Sequence, residues 1–157
     1  GHFGVKRFDR DGSKKIHIHS ACGLLHADFR TSSLDYKNLL KLTLLLTKNK
    51  QDVEQMARLM IFNVKAENKD DHSKNFSFML DKNNKWKLAP AYDLTKSAGI
   101  NGEQTAMVNS KGTDITDNDL IEEAQSVDIS PTKTKEMIEE ITSSLADYEK
   151  LIKEHKN

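Results

Sequence analysis

The sequence Asn68-Lys69-Asp70-Asp71-His72-Ser73-Lys74-Asn75, with Asp93 further along the chain, decides how we interpret the fold. Residues 76–80 are mostly apolar, 81–84 have turn chemistry, and 85–88 alternate between polar and apolar side chains. This pattern predicts a β-hairpin. Because a hairpin brings the chain back to its start, we expect Asp93 to lie near Asn75.

The polar side chains of this stretch are those that phosphoryl transfer requires. One carboxylate must accept the proton of an attacking hydroxyl, and hard oxygen ligands must hold magnesium on the phosphates of ATP. The spacing predicts that Asp70 is the base and that Asn75 and Asp93 bind Mg²⁺. His72 and Lys74 follow Asp70 closely and are placed to donate hydrogen bonds to phosphate or ribose oxygens.

Two other classes of function use similar residues. A metal-dependent phosphohydrolase or nuclease would arrange Asp70, Asp71, His72 and Asp93 around two metal ions, and it would need further ligands. The other is a non-catalytic interaction domain, either a decayed kinase or a fragment that docks on a partner. Taken alone, such a polar cluster is also typical of a solvated loop. On an extended loop Asp71 is expected to point away from Asp70 and to play a supporting part.

Four segments of the chain resemble the C-terminal domain of HipA-type toxin kinases, and they occur in the expected order. The resemblance implies a mainly α (α+β) fold, a helical kinase C-lobe with a small β-hairpin that carries the catalytic and metal residues. It also implies a serine/threonine protein kinase that uses ATP and Mg²⁺. The segments are Val5-Lys6-Arg7-Phe8-Asp9-Arg10, Gly23-Leu24-Leu25-His26-Ala27-Asp28-Phe29, residues 68–78, and Leu88-Ala89-Pro90-Ala91-Tyr92-Asp93-Leu94-Thr95.

The resemblance also assigns roles by position. Asp70 matches the catalytic aspartate, and Asn75 and Asp93 match the magnesium ligands. The segment between the lobes, which contacts adenine and ribose in the family, corresponds to Lys6, Phe8 and Asp9; His72 and Lys74 fall on the catalytic loop. The partners implied are a protein substrate and an antitoxin that binds DNA.

We predict one domain over 1–157. Its parts are a hinge with short strands (1–19), helices (20–66), the catalytic loop, hairpin and metal-binding Asp (67–95), a loop (96–115) and C-terminal helices (116–157). The chain has neither a Gly-rich phosphate loop nor a Val-Ala-Ile-Lys-like strand, so the N-lobe of the kinase is expected to be missing. It begins with Gly1 rather than Met, which suggests a fragment that is inactive by itself.

Composition limits the other possibilities. The 24 basic and 24 acidic residues give a net charge of zero, so no global field favours nucleic acid or an anionic membrane, and direct nucleic-acid binding is not expected. No apolar run approaches the roughly 18 residues that span a bilayer, which makes the cytoplasm the expected location. The single Cys22 excludes an internal disulfide and is predicted to be buried.

Local patterns predict the remaining elements. Strands are expected at 4–8 and 16–19, and a leucine-rich helix, apolar nearly all round, at 36–47. Asp52, Thr116 and Ser130 are predicted to cap later helices. A polar, mobile loop is predicted at 101–114. The last helix is predicted to bury a stripe formed by Ile138, Ile141, Leu145, Tyr148 and Ile152.

Overall fold

The computed structural model describes residues 4–26 and 34–154 of the chain. Within these residues it has five α-helices and two small antiparallel sheets, which confirms the predicted mainly α (α+β) class. None of these helices is long and apolar enough to cross a membrane. The helices are α1 (Ala21–Leu24), α2 (Tyr36–Thr47), α3 (Lys50–Lys65), α4 (Asp117–Gln125) and α5 (Pro131–Glu154).

The hairpin predicted after residues 68–75, a loop that we call the catalytic loop after the role predicted for it, is present. It consists of β4 (Ser77–Leu80) and β5 (Trp86–Leu88), which pair with Phe78 opposite Leu88. The strand β3 (Ile18–Ser20) joins the other edge of β4, with Ser20 opposite Ser77. The strand β3 therefore ends immediately before α1, and β5 ends five positions before Asp93.

The strand predicted at 4–8 is wrong. The first strands are instead β1 (Arg10–Asp11) and β2 (Lys14–Lys15), a minimal hairpin around Gly12 and Ser13. Side chains 4–7 are exposed, and Arg7 forms a bidentate ion pair with Asp9. Alternation alone does not make a strand where no neighbouring strand accepts the backbone hydrogen bonds.

The core lies between α2, α3, α4 and α5, and α2 and α3 also pack against β5 of the three-stranded sheet. α3 contributes Val53, Met56, Met60 and Ile61, which recur at helical spacing on its buried face. α2 is less buried than predicted, because only one of its faces meets other elements. Leu39 and Leu40 are fully buried, whereas Leu45 on the opposite face is 73% exposed.

Side-chain caps begin most of the longer helices. Thr116 caps α4 in a reciprocal capping box with Asp119, and the Ser130 hydroxyl accepts a hydrogen bond from the backbone N–H of Lys133 at the start of α5. The cap predicted for α3 is wrong. Asn49 is the cap, since its side chain accepts from the N–H of Gln51, and Asp52 lies in the first turn.

The segment predicted as a mobile loop at 101–114 is largely anchored. Gln104, Ala106 and Val108 are buried, and the backbone of Met107 exchanges hydrogen bonds with Leu34 and Tyr36. Alternate residues of this segment enter the core although its composition is polar. The loop prediction failed because the bonds that order it come from residues distant in sequence.

Two burial predictions are also corrected. Tyr148 is 60% exposed and lines a groove of about 870 Å³ with Phe62 and Leu94. Ile138 and Ile141 do form the buried stripe, and Leu145 packs against it, whereas the side chain of Ile152 lies outside the described set. Cys22 is half-buried because α1 is a single turn that buries only Ala21.

Gly99 is required where the segment after Asp93 passes the catalytic loop. Its φ is +68°, and a Cβ there would collide with the carbonyl oxygen of Glu103 and lie 2.8 Å from Cβ of Lys69. Gly102 has a similar φ of +80°, with open space around it. Alanine substitutions at the two positions therefore share the backbone strain, and only the one at Gly99 adds a steric collision.

We predict that Gly99→Ala lowers the unfolding free energy by at least about 1 kcal/mol more than Gly102→Ala does. Both variants hold alanine in the left-handed conformation, and only Gly99→Ala adds a collision. Urea unfolding of the two variants measures the difference. Equal losses of unfolding free energy would show that the contact with Glu103 relaxes freely.

A second prediction concerns Glu123 on α4. Burial, and then the carboxyl of Asp35 facing it, raise the pKa of Glu123 from 4.5 to about 7. A carboxyl whose folded-state pKa is raised stabilises the fold fully at low pH and loses that contribution as pH rises through the folded-state pKa. The unfolding free energy of the natural chain should therefore fall between about pH 5 and 7.5, and Glu123→Gln should flatten this fall.

Urea midpoints across this pH range test the prediction. Glu139→Gln, a change at an exposed position of α5, serves as the control and should keep the natural slope. A Glu123→Gln profile parallel to that of the natural chain would contradict the assignment.

Candidate active site

The loop with Asp70 and Asn75 begins where α3 ends. The N–H of Asn68 bonds to the carbonyl of Asn63 in the last turn of α3. A short 3₁₀ turn, Ser73–Asn75, closes the loop just before β4, with Asn75 N–H donating to the carbonyl of His72. Both ends of the loop are thus fixed on buried elements.

Asp70 and Asp71 point in opposite directions, as expected for adjacent residues on extended backbone. Asp71 is fully buried, whereas the side chain of Asp70 is 61% exposed. One oxygen of Asp71 accepts from the backbone N–H groups of Thr105 and Ala106, both at 3.0 Å. Its other oxygen accepts from the Tyr36 hydroxyl at 2.7 Å and from Gln104 Nε2 at 3.1 Å.

The bonds to Asp71 belong to a larger buried network. Asn63 Nδ2 donates to the Tyr36 hydroxyl oxygen, Asn68 Nδ2 donates to Asn63 Oδ1, and Gln104 Nε2 also donates to the carbonyl of Asn68. Burial raises the pKa of Asp71, and its hydrogen-bond donors oppose that rise. Burial and the nearby Asp71 carboxylate raise the pKa of Tyr36, so this phenol remains a donor.

On the outer side, the loop brings three predicted site residues together. Nε2 of His72 lies 4.0 Å from Oδ1 of Asp70. Asn75 Nδ2 donates to the backbone carbonyl of Asp70 at 2.9 Å. Because that carbonyl can only accept, the bond fixes which end of the amide is nitrogen and leaves Oδ1 of Asn75 as the end that can ligate a metal.

The segment with Asp93 is tied to both ends of the catalytic loop. The Tyr92 hydroxyl bonds to the Lys74 carbonyl at 2.5 Å, and the N–H of Ser97 bonds to the carbonyl of Glu67 at 3.0 Å. Asp93 lies between these two anchors, is exposed, and has a left-handed φ of +56°. The hairpin therefore returns the chain to the catalytic loop, as its turn pattern predicts.

Residues expected to contact the nucleotide lie beside this segment. The ring of Phe8 is 5.8 Å from that of Tyr92, centroid to centroid. Asp9 pairs with both Arg7 and Arg10, which lower its pKa, Arg7 by the largest amount. Lys6 and Lys74 are exposed. Their roles toward nucleotide stay predictions.

Sequence reasoning missed the buried half of the site. It gave Asp71 only a supporting part and gave no role to Gln104, Tyr36 or Asn63. The only local signal is the alternation of Asp70 with Asp71.

In the part of the chain that the structure describes, no three His, Cys, Asp or Glu side chains group as a metal site.

Comparisons with known proteins identify the family and the fold of the chain. The family model of the HipA-like C-terminal domain matches residues 1–148, so the chain belongs to the family of HipA-like C-terminal domains. No curated protein sequence matches it significantly.

Among solved structures, the chain is similar to one from a complex of the Shewanella oneidensis MR-1 toxin-antitoxin system that contains HipA, HipB and its operator DNA. The TM-score is 0.73 at 19% identity, over 90% of this chain and 41% of that one. The likeness confirms the fold, and the chain spans less than half the length of the protein it matches.

We predict that Asp71→Asn lowers the unfolding free energy by about 3 kcal/mol. An amide cannot accept all four hydrogen bonds, and its own hydrogens would face buried donors. The adjacent exposed change, Asp70→Asn, should cost less than about 0.5 kcal/mol. Urea unfolding compares the two variants, and similar losses would contradict the central place given to Asp71.

Proposed function

We propose that the full-length protein transfers the γ-phosphoryl group of ATP to a serine or threonine of a protein, its own chain included, and that this chain is the lobe that supplies the base and the magnesium ligands. The observation that carries the proposal is the bond from Asn75 Nδ2 to the carbonyl of Asp70. This bond joins the residue proposed as the base to a residue proposed as a metal ligand, on a loop whose Asp71 is hydrogen-bonded inside the molecule.

Asp70 is the proposed general base. Its exposed carboxylate can be reached by a hydroxyl of another polypeptide. The backbone carbonyls of Lys69 and Asp70 both accept hydrogen bonds, from Thr105 and Asn75, which hold the backbone in place. A carboxylate in this role orients the hydroxyl and accepts its proton as the phosphoryl group is transferred. His72 next to Asp70 is proposed to donate to a phosphate oxygen, and Lys74 to stabilise phosphate charge.

The residues present fit a magnesium ion. Asn75 Oδ1 and the Asp93 carboxylate are hard oxygen donors, and Mg²⁺ bound to ATP needs only one or two such ligands from the protein because phosphates and water supply the rest. Both side chains belong to segments tied together at Lys74 and Tyr92. When bound, the ion neutralises phosphate charge.

The nucleotide base and sugar are assigned to the segment before β1. Phe8 offers an aromatic face next to Tyr92, and Asp9 offers carboxylate oxygens for ribose hydroxyls. Since Asp9 is already paired with Arg7 and Arg10, a ribose would share or displace these pairs. Lys6 completes the set proposed for cofactor binding.

Partners are proposed from the family and from the structural neighbour. Because that neighbour was solved with HipB and operator DNA, we propose an antitoxin that binds DNA as a partner of the full-length protein. An N-lobe of the same protein would cover ATP, and the isolated chain should bind ATP weakly or not at all. Direct binding of nucleic acid by this chain, which has no net charge, is not proposed. The cytoplasm remains the expected location.

The two-metal phosphohydrolase is the less favoured alternative. It would need Asp71 as a ligand, but all four hydrogen bonds to this carboxylate come from inside the fold. A non-catalytic interaction domain would not require the hydrogen bond from Asn75 to the carbonyl of Asp70. The exposed leucines of α2 are the observation that favours it.

We predict that Asp70→Asn in the full-length protein lowers incorporation of radiolabelled phosphate from ATP by about 100-fold or more, since general-base catalysis contributes factors of this size. Glu139→Gln, at an exposed position of α5, should retain activity. Chelation of magnesium by EDTA should abolish incorporation in both. Equal incorporation by Asp70→Asn and the natural protein would refute the assigned base.

A further inference from the structure

Tyr92 occupies the junction between the three parts of the candidate site. Its hydroxyl contacts the Lys74 carbonyl at the end of the catalytic loop and the Ser77 hydroxyl at the start of β4, at 2.5 and 2.6 Å. Its ring lies against Phe8 of the segment before β1. The next residue along the chain is Asp93.

The direction of these hydrogen bonds follows from the chemistry of the groups. A phenol has one hydrogen, and a carbonyl oxygen can only accept. The Tyr92 hydroxyl therefore donates to Lys74, and the Ser77 hydroxyl donates to the oxygen of Tyr92.

We infer that Tyr92 is a positioning residue, whose hydroxyl sets where Asp93 lies relative to Asp70 and Asn75. The inference rests on the proposed function. Asp93 is exposed and lies on backbone outside any helix or strand. The nearest side-chain anchor along its segment is the bond of the preceding residue to Lys74, directly beside Asn75. A metal held by both Asn75 and Asp93 depends on the distance that this bond maintains.

Tyr92→Phe in the full-length protein tests the inference, because it removes the hydroxyl and keeps the ring against Phe8. We expect the Mg²⁺ concentration for half-maximal phosphorylation to rise about tenfold, the range seen when a group that orients a metal ligand is lost. The kcat should fall about tenfold. KM for ATP, measured at saturating magnesium, should change by less than about twofold because the ring contact remains.

Two further variants make the result decisive. Ser77→Ala leaves the bond from Tyr92 to Lys74 and should shift the magnesium requirement in the same direction by a smaller factor. Tyr148→Phe, at an exposed tyrosine of α5, should match the natural protein. If Tyr92→Phe fails to fold, Ser77→Ala carries the test.

The inference is overturned if the variants that fold keep the natural magnesium requirement and kcat. It is also overturned if Tyr92→Phe loses only thermal stability. If Asp70→Asn and Asp93→Asn also phosphorylate as well as the natural protein, the proposed function itself fails. A defect in those two together with a normal Tyr92→Phe and Ser77→Ala would leave that function standing and remove only the role of Tyr92.

Discussion

The buried carboxylate of Asp71 is the interaction on which the candidate site depends. It joins α2 through Tyr36, the catalytic loop through its own backbone, and the segment at 104–106 through one side chain and two N–H groups. Taking a carboxylate out of water is costly, and four donors offset this cost only in one geometry. The loop cannot slip by a residue without leaving those donors unsatisfied, so its register is fixed.

The anchoring of Asp71 also determines which side chains the loop exposes to solvent. Because successive side chains of extended backbone alternate, burying Asp71 directs Asp70 into solvent. Asn75 bonds to the carbonyl of Asp70, and Tyr92 bonds to the carbonyl of Lys74. The same anchored backbone therefore positions the proposed base and the segments of both proposed metal ligands. A reacting group must be held within a fraction of an ångström, which a solvated loop could not provide.

What could be predicted from the sequence is what neighbouring residues determine. The range of α2, the hairpin of β4 and β5, and the cap at Thr116 follow from spacing, turn chemistry and capping residues a few positions apart. The errors concern distant partners. The polar composition of 101–114 gives no sign that Gln104 and the N–H groups of Thr105 and Ala106 bind Asp71. The apolar run of α2 likewise gives no sign that Leu45 is exposed.

The charges of the candidate site give a physical reason for the divalent cation in the proposed function. Asp70 and Asp93 are exposed carboxylates on linked segments, and ATP would bring several more negative charges beside them. Each like-charge pair at about 4 Å costs roughly 1 kcal/mol in water and several-fold more where water is excluded. Asn75 would add a ligand without adding a charge, and Nε2 of His72 lies 4.0 Å from Oδ1 of Asp70. Under the proposed function, phosphates would therefore bind together with a divalent ion, and magnesium would be part of what the protein recognises.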